Sequence, residues 1–172
     1  PLGQEAGDSD PQLERLVREF NSWVRSVDFP VRKVEAGIVG GGMRVGLVAT
    51  EPLEEGQPYL SVPDSIVMDA QKAKADPELG SALMKLDAAL SPLDSWDDDT
   101  DNLLVLLVKE AFAEVSRWSS YLRLLPSVSD VKSYHPLFFD DDTIELLGGS
   151  DVRAAVRRYR DSQVSSFHRK FG

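Results

Sequence analysis

The stretch whose reading decides the fold is TDNLLVLLVKEAFAEVSRWSSYLRLLP, residues 100–126. Leu103, Leu104, Leu106, Leu107, Val108, Ala111, Phe112 and Val115 leave almost no polar stripe in its opening turns. A surface helix shows polar residues at a 3.6-residue period, so a helix apolar nearly all round is expected inside the protein. Thr100 or Asp101 can cap its start by accepting free backbone N–H groups of the first turn. Asp97, Asp98, Asp99 and Asp101 bring negative charge to the positive end of the helix dipole. The stretch is too short, and too interrupted by Lys109, Glu110 and Glu114, to cross a bilayer. It reads as a buried central helix.

The residues that leave this helix are the more informative ones. Glu110, Ser116, Trp118, Tyr121, Leu122, Leu125 and Pro126 spell E-x5-S-x-W-x2-Y-L-x2-L-P. This resembles a segment of SET-domain protein methyltransferases of the Rubisco large-subunit methyltransferase class, with Ser120 where that class has proline. HPLFFDDDTIELLGGSDV, from His135 to Val152, resembles a second family stretch in the same order and at the same spacing. A third match lies upstream in G-x-x-x-x-G-L-V-A-T-x-P-L-x-x-G-x-x-Y-L-x-V-P. In the family the glycines of that pattern let the backbone approach S-adenosylmethionine closely. The resemblance therefore implies Gly42, Gly46 and Leu47 as cofactor-binding residues. Gly46 matches the second family glycine, whereas Arg44 stands where the first is expected. Read from the residues alone, Gly40-Gly41-Gly42 is equally a hairpin turn, because glycine relieves backbone strain there.

Length and composition bound the rest. A chain of 172 residues fits one domain. Its 42% hydrophobic and 28% charged content is ordinary for a soluble globular domain. No run reaches membrane-spanning length, and no secretory leader pattern is present. A start at Pro1 rather than Met suggests a processed chain or a fragment. With no cysteine, disulfides, thiol catalysis and Cys-ligated zinc are excluded, and two histidines make a histidine metal site unexpected. A net charge of −10 argues against non-specific nucleic-acid binding. That charge is uneven. Residues 87–101 hold six Asp and no basic residue, whereas residues 151–172 hold six Arg or Lys against two Asp, which gives +4.

Along the chain, residues 1–9 read as a disordered tail, and residues 10–172 as the N-terminal part of a SET-like domain that ends within its inserted helical region. Asp10-Pro11 starts an amphipathic helix with Leu13, Leu16, Val17, Phe20, Trp23, Val24 and Val27 inward, ending before Pro30. Strands follow at 34–38, 44–49 and 59–62, with a short fourth at Ile66–Met68. A second helix is expected over 76–90. Residues 127–137 read as loop, Thr143–Leu147 as a short helix closed by Gly148-Gly149, and the rest as a helix with Val152, Ala155, Val156 and Tyr159 inward. Its outward arginines, Arg153, Arg157 and Arg158, are candidate partner-binding residues.

The fold class expected is α+β: a small antiparallel β-sheet with a buried core helix and flanking helices, the first half of a SET-type domain. No residue is assigned a catalytic role and no metal site is expected. The resemblance implies S-adenosylmethionine as cofactor and protein lysine as substrate, with a chloroplast or a cytoplasmic home. The family's downstream Asn-His pair and channel tyrosine have no counterpart before Gly172, so the 172 residues by themselves are expected not to methylate protein. Methyl transfer needs a lysine amine held in line with the sulfonium methyl. Two readings stay open: the N-terminal part of a lysine methyltransferase, or a non-catalytic SET-like scaffold bound to a protein partner.

Overall fold

The computed structural model describes residues 10–39, 44–90, 98–132, 134–148 and 151–171. Helix α1, Pro11–Ser26, begins as its sequence dictates: the Asp10 carboxylate accepts the Gln12 N–H at 2.9 Å and Pro11 takes the first helical position. Its buried face of Leu13, Leu16, Val17, Asn21 and Val24 lies on the second strand.

Four strands follow: β1 (Val31–Arg32), β2 (Val34–Ile38), β3 (Val45–Ala49) and β4 (Leu60–Ser61). They pair antiparallel as β1 with β4 and β2 with β3. Lys33 joins the two ladders, since its N–H donates to Tyr59 and its carbonyl accepts from Thr50, each at 2.9 Å. The small antiparallel sheet is as expected, but the third strand expected pairs back onto Val31-Arg32, which showed no strand pattern. The fourth expected strand is absent: Asp64–Ile66 is a 3₁₀ turn. The carbonyls of Ser65 and Ile66 are taken instead by the side chains of Arg117 and Trp118.

Helix α2, Ala70–Ala75, was not foreseen, because AQKAKA offers no large apolar residue to set a period. Asp69 caps it by accepting the Lys72 N–H at 2.7 Å. Asp76 therefore ends α2 rather than starting the next helix, and α3 spans Gly80–Leu90. Gly80 sits where a Cβ would come within 2.2 Å of the Lys74 carbonyl oxygen, so only glycine lets α3 leave α2 so closely. Ala73, Leu83 and Leu106 form the most enclosed cluster, with Met68, Leu79 and Val105 against it.

The central helix, α4, spans Asp98–Phe112, and the chain breaks before α5, Ser119–Leu122. It starts ahead of Thr100 and Asp101, so those residues lie within its first turn rather than capping it. Burial all round does not hold. Asn102 and Leu106 are 0% and 2% exposed, whereas Leu104, Val108 and Phe112 are 50%, 47% and 87% exposed. Among the described residues α4 is covered mainly on its α2–α3 side, with a smaller contact to α5 near its end. After α5 come α6 (Val128–Val131), a 3₁₀ turn at Pro136–Phe138, α7 (Asp141–Glu145) and α8 (Asp151–Phe171). Helix α6 falls where loop was expected; a Ser127–Asp130 capping box starts it. Helix α7 is capped by Asp140 and followed by Gly148 at φ +65°, as its sequence implies. The class is α+β with a small antiparallel sheet. Residues 1–9 and the Asp-rich positions 91–97 lie outside the described residues.

Candidate functional site

Where α1, the β2–β3 ribbon and the S-x-W-x2-Y turn meet, they enclose an apolar cavity of about 310 Å³. Its walls are Phe20, Trp23 and Val24 of α1, Val34, Ala36 and Leu47 of the sheet, and Ile66, Met68, Trp118 and Tyr121. Helical spacing puts Phe20, Trp23 and Val24 on one side of α1. Strand alternation puts Val34 and Ala36 on one face, with Leu47 opposite Ala36. The Phe20 ring lies 5.7 Å from Trp23 and 6.5 Å from Tyr121, which joins α1 to α5.

Most of the polar groups at this cavity, those of Asn21, Glu35 and Trp118, already have partners. The buried Asn21 amide donates to the Ala36 carbonyl at 2.8 Å and accepts the Ala36 N–H at 3.0 Å, as a neighbouring strand would. The Trp118 indole N–H donates to Ile66 at 2.8 Å. Arg117 stacks on the Trp118 ring at 4.0 Å while donating to Ser65. Glu35 is paired with Arg25 at 2.8 Å. An arrangement of this kind accepts apolar groups. Among the described residues, no group of three or more His, Asp or Glu could hold a metal ion.

Of the sequence-derived cofactor residues, Gly46 and Leu47 are neighbours on β3. Gly42 lies outside the described residues. Gly46 pairs with Gly37 across the ribbon, and a Cβ on Gly46 would stand 3.1 Å from a Val39 methyl. The space it leaves is filled by its own hairpin. Leu47 lines the cavity mouth and is 58% exposed. Arg44 turns its guanidinium to the Leu124 carbonyl at 2.6 Å, tying β3 to the L-x2-L-P end of the motif. The Ser127 N–H and then its hydroxyl hold the Asp130 carboxyl below the usual range, with the Arg44 charge adding to the effect.

The arginines of α8 are largely spoken for. Arg153 pairs with Glu145 at 2.6 Å, and Arg157 reaches the same carboxylate. Arg153, followed by Arg157, holds Glu145 below its ordinary value. Arg160 donates to the Phe139 carbonyl at 3.0 Å. Arg158 has no partner among the described residues. Asn21 carries no direct sequence signal for its role, and Arg44 reads only as a departure from the family glycine, because their partners lie 15 and 80 residues away. The one indirect signal for Asn21 was a polar residue on the apolar face of a helix.

No protein-family model matches the chain. It is 29% identical over 161 residues to N-lysine methyltransferase SETD6 of Mus musculus, covering 92% of this chain and 32% of that protein. It is 23% identical over 162 residues to the chloroplastic ribulose-1,5 bisphosphate carboxylase/oxygenase large subunit N-methyltransferase of Nicotiana tabacum, covering 93% and 29%. Among solved structures, Rubisco LSMT bound to sinefungin and monomethyllysine superposes with a TM-score of 0.68 at 17% identity, over 91% of this chain and 34% of that one. The SET domain of LSMT bound to lysine and AdoHcy gives 0.64 at 19%, over 94% and 34%. The resemblance read from the motifs is thus shared by sequence and by backbone. The chain spans about a third of the length of the curated relatives it matches.

Proposed function

We propose that this chain is part of a SET-domain protein-lysine N-methyltransferase, and that these 172 residues alone transfer no methyl group. The observation that carries the reading is the fold: 91% of the chain overlays 34% of a structure that holds sinefungin and monomethyllysine. A piece of this size supplies one side of a two-substrate site. The open mouth of the cavity at Leu47 and the outer edge of β3, unpaired among the described residues, are where the remainder of such a domain would add its own strand and apolar side chains.

S-adenosylmethionine is the cofactor this family likeness implies, and the described residues do not fit it by themselves. The space beside Gly46 is filled by Val39, and Asn21, Glu35 and the Trp118 indole are held by partners within the chain. No step of methyl transfer is assigned to them. Incubating the chain with radiolabelled S-adenosylmethionine and bulk protein or Rubisco should give no labelled protein. Calorimetry should give no binding at micromolar concentrations. Label transfer by the 172-residue chain would overturn the inactivity.

The closed hairpin at Gly46 also favours a second reading, a non-catalytic SET-like scaffold that uses the same open surface to hold a protein partner. Methylation by a longer form carrying this segment would decide for the enzyme. A chloroplast home is supported by the tobacco relative alone, and the mouse relative, from an organism without chloroplasts, lends it nothing.

A further inference from the structure

Among the described residues nothing covers the outer face of α4, although nothing polar interrupts it. Leu104, Val108 and Phe112 follow one another at four-residue steps, and all are at least 47% exposed. Val115, just past the helix end, is 92% exposed. A contiguous apolar stripe of this kind marks an interaction surface rather than ordinary scatter.

At the C-terminal end of the stripe a groove of about 360 Å³ opens between α4 and α5, lined by Glu110, Ala111, Glu114, Val115, Ser119 and Leu122 among others. Its charge is one-sided. Neither Glu110 nor Glu114 has a hydrogen-bond or ion-pair partner among the described residues. The cation at the groove, Arg123, is held by Glu19 at 2.9 Å. Lys109 is drawn the other way, to Asp76 at 2.7 Å and Glu78 at 3.0 Å. Both glutamates also sit at the negative end of the α4 dipole, where a carboxylate is locally unfavourable. A cation from outside the chain would relieve both costs.

We propose that the outer face of α4, with the groove at its end, docks a segment of another protein in which apolar residues alternate with Lys or Arg. The apolar residues would lie along Leu104, Val108 and Phe112, and the cations would reach Glu110 and Glu114. The net charge of −10 speeds the approach of a basic partner and opposes that of a second copy of this chain. The inference stands apart from methyl transfer, since it needs neither cofactor nor catalysis.

The test is fluorescence anisotropy on the full chain, with a labelled amphipathic helical peptide of Leu and Lys as the probe. Saturable binding is expected, weakened about tenfold by Glu110→Gln with Glu114→Gln, as two rim charge pairs allow. Phe112→Ser, at an exposed position that folding does not need, should weaken it as well. Asp151→Asn with Asp161→Asn removes the same charge from α8 and should leave the affinity unchanged. Equal losses in the two double variants would reduce the effect to net charge and overturn the proposal. Absence of binding to the parent chain would overturn it, and so would sedimentation showing a dimer that the peptide does not disrupt.

Discussion

Asn21 performs for β2 the task of an adjoining strand. Both hydrogen bonds of its amide go to the Ala36 backbone, and the residue is 7% exposed. Asn21→Ala would leave a buried N–H and a buried C=O unpaired, so a loss of about 1–3 kcal/mol is expected in urea unfolding. A change below about 0.5 kcal/mol would mean that water replaces the amide there. Leu106 and Leu104 form a second contrast at this scale: they share the same helix and chemistry but not the same surroundings. Leu106→Ala should cost about 2–5 kcal/mol, because it opens a cavity beside Ala73 and Leu83. Leu104→Ala, on the open face, should change stability by no more than about 0.5 kcal/mol. Equal losses at the two positions would show that the outer face is covered in solution.

At the scale of elements, α2 and α4 are tied by apolar contact and by one ionic knot. Lys109 of α4 meets Asp76, whose carboxylate also accepts the N–H groups of Glu78 and Leu79 at 2.9 Å. Burial opposes ionisation of Asp76, but the Lys109 ammonium and the two N–H groups outweigh it and hold the carboxyl below the usual range. Bonds to Asp76 and then Glu78 hold Lys109 above its ordinary value. A lowered carboxyl stabilises fully above its unfolded-state pKa, and that stability is lost as pH falls through the folded-state value. A raised amine stabilises fully below its unfolded-state pKa, and that stability is lost as pH rises through the folded-state value. Asp76→Asn should therefore be less stable than the parent at neutral pH. The charge-dependent part of that gap should start to close near pH 3.8 and vanish below the depressed value. Urea midpoints across the acid range read this directly, and a gap independent of pH would remove the ionic account.

Across the whole molecule, packing is uneven. The α2–α3–α4 cluster holds the most enclosed side chains, whereas α8 meets only α7 and the Pro136–Phe138 turn in its main contacts. Val152, Tyr159, Val164 and Phe167 of α8 are each about half exposed or more. Amide exchange should consequently release the α8 protons well before those on the buried side of α4. Simultaneous exchange would mean that the chain opens as one cooperative unit. A loosely seated α8 also explains why its arginines turn to α7: Glu145 and Asp141 supply nearby charge that the apolar contacts alone do not replace.

Local rules were sufficient for features whose partners are close in sequence. Asp10-Pro11 fixed the start of α1, Asp140 and Gly148 bounded α7, and valine alternation marked β2 and β3. The S-x-W-x2-Y-L-x2-L-P spacing and the glycine-bearing ribbon carried the likeness to SET-type methyltransferases. Distant pairings were another matter. The fate of Ile66–Met68 depended on Trp118 capturing a carbonyl 52 residues away, and the direction of Arg44 on a carbonyl 80 residues away. The sequence by itself determined that the middle turns of α4, from Leu103 to Val108, are apolar nearly all round. Which side is buried was decided by tertiary structure alone: Ala73 and Gly80 let α2 and α3 come close against one face, and no described residue is large or near enough to cover the other.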